Sequence, residues 1–110
     1  MSDFKNAHIA LVSRILEGDG RASRAQRRGA FDNAGLGEPM RTLIGKVATQ
    51  ATSVTDEDMA AAGASGLSDD QIFEMVVSAA IGQATRQYNT ALAALNAATE
   101  RSEHAPRDSR

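Results

Sequence analysis

Three polar residues within one strongly helical segment are the first candidates for chemistry. Glu74, Arg86 and Tyr88 lie in a run otherwise dominated by small and apolar residues. A carboxylate, a guanidinium and a phenol in such surroundings could bind an anion or move a proton. A buried Arg needs a partner, and Glu74 is about three helical turns from Arg86, so we expect Arg86 to pair across a subunit interface or with a ligand. The alternative, which we favour, is structural: an exposed face or a polar seam.

Other reactive side chains are scarce. His8 lies on the apolar face of the first predicted helix, and we interpret it as a core or interface residue; His104 lies near the C-terminus and is interpreted as solvated. The chain has no Cys, which excludes a thiolate nucleophile, a disulfide and a Cys-ligated metal. No phosphate loop, Ser-His-Asp arrangement or metal-ligand spacing is present. We therefore expect no metal site and no cofactor.

The charge balance argues against nucleic acid and membrane partners. The net charge of the 110 residues is −2, which provides no attraction to phosphates or to an anionic lipid surface. A helix-turn-helix DNA-binding protein is the rival interpretation, because four arginines cluster early in the chain: Arg21, Arg24, Arg27 and Arg28. However, the helix that would enter the major groove begins with Asp69 and Asp70, where base and phosphate contacts need Lys or Arg. We interpret the arginine cluster as a solvated helix face.

The first twenty residues show no targeting signal. Charged residues lie on both sides of a short apolar stretch, and no cleavage-site pattern follows it. This arrangement fits neither a signal peptide nor a membrane span. We expect a soluble, cytoplasmic protein.

Apolar periodicity predicts three helices in the first half of the chain. Residues 3–17 place five side chains on one face: Phe4, His8, Leu11, Val12 and Ile15. Ser23 can cap a short second helix, whose inward contacts are Ala30 and Phe31. Pro39 fits the first position of a third helix. That helix repeats apolar residues at spacings of three and four: Met40, Leu43, Ile44, Val47 and Ala51.

A capping box starts a short fourth helix. The Thr55 hydroxyl can accept from the amide of Asp58, while the Asp58 carboxylate returns to the amide of Thr55. Gly63 and Gly66 are expected to end this helix. The fold class predicted from these signals is all-α: a compact helical bundle with a short capped helix and a long central C-terminal helix.

The long helix is expected to begin at Ser68, with Gln71 at the box position, and to run to about Thr99. Its predicted buried stripe contains Phe73, Val77, Ala80, Ala84, Tyr88, Ala91 and Leu95, and is widened by Ile72, Val76, Ile81 and Leu92. We predict one helical domain over residues 1–99 and a disordered tail over 100–110. Alanine is the commonest apolar residue, so a single chain buries little area, and we expect a homo-oligomer. Its interface is predicted to use the small residues Ala79, Ala80, Gly82 and Ala84.

The run from Lys46 to Leu95 resembles the carboxymuconolactone decarboxylase-like and alkylhydroperoxidase D-like superfamily. The most specific part is the short helix followed by "AAGASGLSDDQIFEMVVSAA", which is similar to the family's glycine turn and capped helix start. The resemblance implies an all-helical fold. Members of this superfamily commonly assemble as trimers or hexamers, sometimes as dimers. The family's redox members carry a C-x-x-C pair and a following His, which would fall near Ala51, Val54 and Asp58.

The missing thiols limit what the resemblance implies about function. Cysteine peroxidase chemistry is excluded because the chain has no Cys, and no His lies between Lys46 and Leu95 for a decarboxylase-like reaction. The first hypothesis is a non-catalytic, oligomeric binding or scaffold protein. The alternative is a cysteine-independent decarboxylase-like enzyme with a pocket at a subunit interface, containing Arg86, Tyr88 or Glu74. A small-molecule ligand is compatible with both hypotheses.

Overall fold

The computed structural model describes the backbone of residues 2–104 and the side chains of residue 3 and residues 5–101. Within this part of the chain there are five α-helices and no strand, which confirms the predicted all-α fold. The helices are α1 (Ser2–Glu17), α2 (Arg24–Asp32), α3 (Met40–Thr49), α4 (Asp56–Ala64) and α5 (Asp69–His104). A short 3₁₀ turn, Ala51–Ser53, connects α3 to α4.

Local capping determines where three of the helices begin. Ser23 and Gln26 form a reciprocal capping box at α2, and Thr55 and Asp58 form one at α4. At the start of α5 the amide of Gln71 donates to the Ser68 hydroxyl at 3.1 Å, and the Ser68 amide donates to Gln71 Oε1 at 2.8 Å. These contacts satisfy amides that would otherwise lack a partner in the first turn.

The end of α4 is set by one glycine. Gly63 lies inside the helix, contrary to its predicted role as a stop signal, whereas Gly66 follows the helix with φ +98°. This left-handed conformation is readily adopted only by a residue without Cβ. The chain reverses there and enters α5 two residues after Leu67.

The long helix α5 is central, as predicted, and contacts each of the other four helices. Its most extensive contact is with α2, which runs parallel to it. The core side chains come from α3 and α5 with small residues from α2, from the loop before it and from α4: Ala22, Ala30, Met40, Leu43, Ile44, Ala62, Ile72, Met75 and Ala79. The backbone of α5 continues to His104, five residues beyond the expected end near Thr99. Residues 105–110 of the predicted tail lie outside the described residues.

The buried face of α5 differs from the predicted stripe. Ile72, Met75, Ser78, Ala79 and Gly82 face the other helices. Ile72 belongs to the predicted stripe and is buried, but most of the stripe faces outward: Phe73, Ala80, Ala84, Ala91, Leu92 and Leu95 are exposed, while Val76, Val77, Ile81 and Tyr88 are half-buried. The reason is the close approach of α2, because a Cβ on Gly82 would overlap the carbonyl oxygen of Phe31 and lie 2.7 Å from its carbonyl carbon. Only small residues fit on that side.

Two other predictions of burial were wrong. Leu11 in α1 is 41% exposed, and Ala51 lies exposed in the 3₁₀ turn. In contrast, Arg27 belongs to the cluster expected to be solvated, but it is only 6% exposed. Its guanidinium Nη1 donates to the carbonyl oxygens of Ile15 at 3.0 Å and Gly18 at 2.6 Å. Arg27 therefore closes the C-terminal end of α1, where carbonyls lack intrahelical donors.

Candidate functional site

The carboxylate of Glu74 hydrogen-bonds the loop between α1 and α2. Its two carboxylate oxygens accept from the backbone amides of Arg21 at 2.9 Å and Ala22 at 2.8 Å. The first of these hydrogen bonds, followed by the second, lowers the pKa of Glu74 below its usual value of 4.5. The nearby charge of Arg27 acts in the same direction. Glu74 therefore carries a negative charge just before the N-terminus of α2, where the helix dipole favours it.

The guanidinium of Arg86 hydrogen-bonds the opposite end of α2. Its Nη1 donates to the Phe31 carbonyl oxygen at 2.6 Å, and its Nη2 donates to Gln83 Oε1 at 3.1 Å. A positive charge at the C-terminal end of α2 is favoured by the helix dipole. The two hydrogen bonds involve no carboxylate, so they supply no acid–base pair at this position.

Tyr88 lies farther along α5, against α1. Its ring centroid is 5.5 Å from that of His8, and the two planes are tilted by 32°. His8 Nε2 is also 3.2 Å from the hydroxyl oxygen of Thr85. His8 is thus a partner in the α1–α5 contact, in agreement with its interpretation as a core or interface residue.

The structure does not bring the three sequence-predicted candidates into one site. Glu74 and Arg86 are separated by about 18 Å along the helix, at roughly 1.5 Å per residue. Each hydrogen-bonds a different end of α2, and Tyr88 contacts α1. A role for any of them at a subunit interface stays a prediction.

A large concavity lies elsewhere, between α3, the 3₁₀ turn, α4 and the first turns of α5. This space, the apolar cleft, has a volume of about 830 Å³. Its lining has one ionisable side chain, Asp69. The other lining residues are apolar: Leu43, Val47, Ala51, Val54, Met59, Ala60, Gly63, Ile72, Phe73 and Val76. A concave, mainly apolar surface of this size is typical of small-molecule sites.

An ion pair holds the walls of the apolar cleft together. Lys46 Nζ of α3 is 2.7 Å from Asp58 Oδ2 of α4. The same carboxylate oxygen accepts from the amide of Thr55 at 2.9 Å, within the capping box. Lys46 and then this amide lower the pKa of Asp58 below its usual value of 3.8. The pair connects the first turn of α4 to α3, and both helices contribute residues to the wall of the cleft.

A second groove of about 550 Å³ runs between α1 and the C-terminal half of α5. It contains His8, Tyr88 and the apolar side chains of Ile9, Val12 and Leu92. The sequence indicated His8 and Tyr88 separately, but nothing in the spacing placed them together. The apolar cleft was missed for a different reason: Phe73 was assigned to the core, whereas it lies at the cleft with 68% of its surface exposed.

Comparison of the chain with protein-family models, with curated proteins and with solved structures finds no match. Among the described residues, no group of three His, Cys, Asp or Glu side chains could hold a metal ion. No helix in the described part of the chain is long and apolar enough to cross a membrane.

Proposed function

We propose that the chain is a non-catalytic binding protein whose apolar cleft takes a small apolar molecule, and that it works as a homo-oligomer. One observation carries the ligand part: the cleft offers about 830 Å³ of space with a single ionisable residue, Asp69. One carboxylate gives no partner for general acid–base catalysis, whereas the apolar lining favours binding through burial. We include in this proposal that the chain shares the helical scaffold of the carboxymuconolactone decarboxylase-like superfamily without its redox chemistry. We also propose that the protein is cytoplasmic.

The alternative enzyme gains no support from the geometry. Glu74 and Arg86 hydrogen-bond the backbone around α2, and neither they nor Tyr88 line the apolar cleft. A catalytic role would require these hydrogen bonds to be exchanged for contacts with a substrate. That exchange would expose backbone groups of α2, at a cost of about 1–3 kcal/mol for each group left unsatisfied.

Binding of a neutral fluorescent probe, N-phenyl-1-naphthylamine, tests the ligand part of the proposal. A probe that loses about 250 Å² of apolar surface gains roughly 6 kcal/mol before the entropy of association is subtracted. A gain of about 6 kcal/mol corresponds to a dissociation constant of about 40 μM, and the entropy of association weakens it, so we expect saturable binding with a dissociation constant between about 40 μM and a few millimolar. Absence of saturable binding at these concentrations would contradict the proposal.

Two matched variants locate the probe. Ala60 lines the apolar cleft, and its neighbour Ala61 is equally exposed on α4 but does not line it. Ala60→Glu brings a charge into the cleft, so we expect at least about five-fold weaker binding, since an unpaired charge in an apolar site is unfavourable. Ala61→Glu should bind as the parent does. Equal binding by both variants would show that the probe sits elsewhere.

A further inference from the structure

The outward side of α5 is an apolar strip that the other described helices leave largely exposed, although Val77 and Tyr88 are half-buried and Tyr88 packs against His8 of α1. Seven residues define this strip, called here the outer face: Phe73, Val77, Ala80, Ala84, Tyr88, Ala91 and Leu95. Phe73 is 68% exposed and Leu95 is 61% exposed. Within residues 75–99 the only charged residue is Arg86, whose guanidinium is bonded to the Phe31 carbonyl on another side of the helix.

The C-terminal part of α5 extends beyond the packed helices. Every side chain from Asn89 to Arg101 is exposed, apart from that of half-buried Ala97. An isolated helix of this length is marginally stable in water, and helices in proteins owe most of their stability to packing of an apolar face. Leu95 therefore lies on a helical segment that receives little packing from the other described helices, whereas Leu92 still borders the groove along α1.

We propose that the outer face of α5 is covered by the same face of a second copy, with the two helices antiparallel and a twofold axis at Ala84. The inference rests on the homo-oligomeric part of the proposed function and assigns its surface; it does not depend on ligand binding. In a twofold contact, residue i faces residue j and residue j faces residue i. The spacings on either side of Ala84 are the same, so every member of the outer face meets another member.

The side chains that meet in this arrangement are complementary in size. Ala84 lies opposite Ala84 of the partner subunit, which allows the backbones to approach closely. Tyr88 lies opposite the partner's Ala80, and Val77 lies opposite the partner's Ala91. At each end Phe73 packs on Leu95 of the partner subunit. Large residues thus face small ones near the axis and fill the wider space farther out.

Charge favours the antiparallel direction. A parallel pair would bring Asp69 and Asp70 beside the same carboxylates of the second copy. In the antiparallel pair, Arg101 of the partner subunit lies within about one turn of the position opposite Asp69, and on the same side of the helix pair. The helix dipoles are also opposed in direction, which places the positive end of one α5 near the negative end of the other.

The area that α5 alone offers is smaller than a stable interface needs, so the neighbouring helices must contribute to the contact. The outer face is about 33 Å long, and one helix is about 10 Å wide, so α5 alone offers roughly 330 Å² per chain. A stable interface needs about 800 Å² per partner. The apolar surface continues onto α1 through Ile15, which borders Phe73 and Val77, and onto α4 through exposed Met59 at the apolar cleft. The rest of the interface area would have to come from these two neighbouring helices.

The arrangement also places the apolar cleft at the subunit boundary. Phe73 lines the cleft and belongs to the outer face, so Leu95 of the partner subunit would close the cleft from one side. The second copy thereby contributes a residue to the proposed ligand site.

Cysteine cross-linking tests the twofold axis, and the natural chain contributes no Cys of its own. Ala84→Cys places two thiols at the axis, within disulfide range. Ala93→Cys is the matched control, because Ala93 is also exposed on α5 but lies nine residues on, on the opposite side of the helix. Under mild oxidation we expect nearly complete covalent dimer for Ala84→Cys and little for Ala93→Cys. Equal cross-linking of both variants would overturn the proposed geometry.

Light scattering with charge variants provides an independent readout. We expect the parent protein at micromolar concentration to have twice the 11.6 kDa mass of one chain, or an even multiple of it. Ala84→Arg should dissociate the twofold contact and keep its helical circular dichroism, while Ala93→Arg should keep the parent's mass. A monomeric parent would overturn both this inference and the oligomeric part of the proposed function. An oligomeric parent whose mass Ala84→Arg does not reduce would overturn the inference alone.

Discussion

Replacing Gly82 by Ala probes the close contact between α5 and α2. An added Cβ would overlap the Phe31 carbonyl oxygen and lie 2.7 Å from the carbonyl carbon and 2.9 Å from Cα of the same residue. These are backbone atoms of α2, so the strain can be relieved only if α2 and α5 move apart. Such a movement would also lengthen the 2.6 Å hydrogen bond from Arg86 to the same carbonyl oxygen.

The expected loss of stability is about 2 kcal/mol. Overpacking costs about 1–3 kcal/mol, and a rigid backbone neighbour favours the upper end of this range. The greater helix propensity of Ala offsets about 1 kcal/mol of this cost. For a chain of this size each kcal/mol corresponds to roughly 4–8 °C, so the unfolding midpoint of Gly82→Ala should fall by about 8–16 °C.

Gly63→Ala is the matched control for this substitution. Gly63 is also inside a helix, but no atom lies within 4 Å of the position that its Cβ would take. The same chemical change should therefore stabilise the protein by up to about 1 kcal/mol. Thermal unfolding followed by far-UV circular dichroism, at equal protomer concentration, measures both variants. The reasoning is refuted if Gly82→Ala unfolds at or above the parent temperature.

The hydrogen bonds that tie α5 and α2 to the first loop give two further predictions. Glu74→Gln should lower the free energy of unfolding at neutral pH by about 1 kcal/mol, because charged acceptors bind amides more strongly. Since the folded-state pKa of Glu74 is lowered, its contribution to the free energy of unfolding is complete above pH 4.5 and is lost as pH falls through the folded-state pKa. In urea titrations, the difference in unfolding free energy between the parent and Glu74→Gln should therefore shrink as the pH is lowered through that range. A difference that does not change with pH would argue against this linkage. Arg27→Met removes the donor to the Ile15 and Gly18 carbonyls, and a loss of about 2 kcal/mol is expected in the same titrations, whereas Arg28→Met, at an exposed neighbour, should change little.

The helix starts could be predicted because their signals are local. Thr55 and Asp58 satisfy each other's backbone amides three residues apart, and Ser68 and Gln71 do the same at α5. Such contacts depend on sequence neighbours and need no knowledge of the tertiary packing. The all-α fold and the central position of α5 follow from these starts and from the length of the last helix.

The orientation of α5 about its axis could not be predicted in the same way. Apolar side chains occur almost all round this helix, so periodicity alone selects no single face. The buried face is chosen by how near α2 can come, and this favours Ala79 and Gly82 over the larger Phe73. Because we expected the large side chains of α5 to lie in the core, we predicted that the outer face would be the buried one.

The polar candidates illustrate the same limit. The sequence indicated that Arg86 would need a partner, but the partner is the carbonyl oxygen of Phe31, a backbone atom that the side-chain pattern does not reveal. Glu74 likewise binds two backbone amides. The apolar cleft depends on how four segments separated in sequence pack together, and none of them carries a motif that would mark it.

The pairing of Glu74 and Arg86 with opposite ends of α2 restricts insertions and deletions. The two side chains are twelve residues apart on α5, and their backbone partners, from Ala22 to Phe31, are nine apart on α2. Removing one residue between Glu74 and Arg86 would rotate the rest of the helix by about 100° and carry the guanidinium away from its carbonyl. Divergence between these positions should therefore proceed by substitution at constant length.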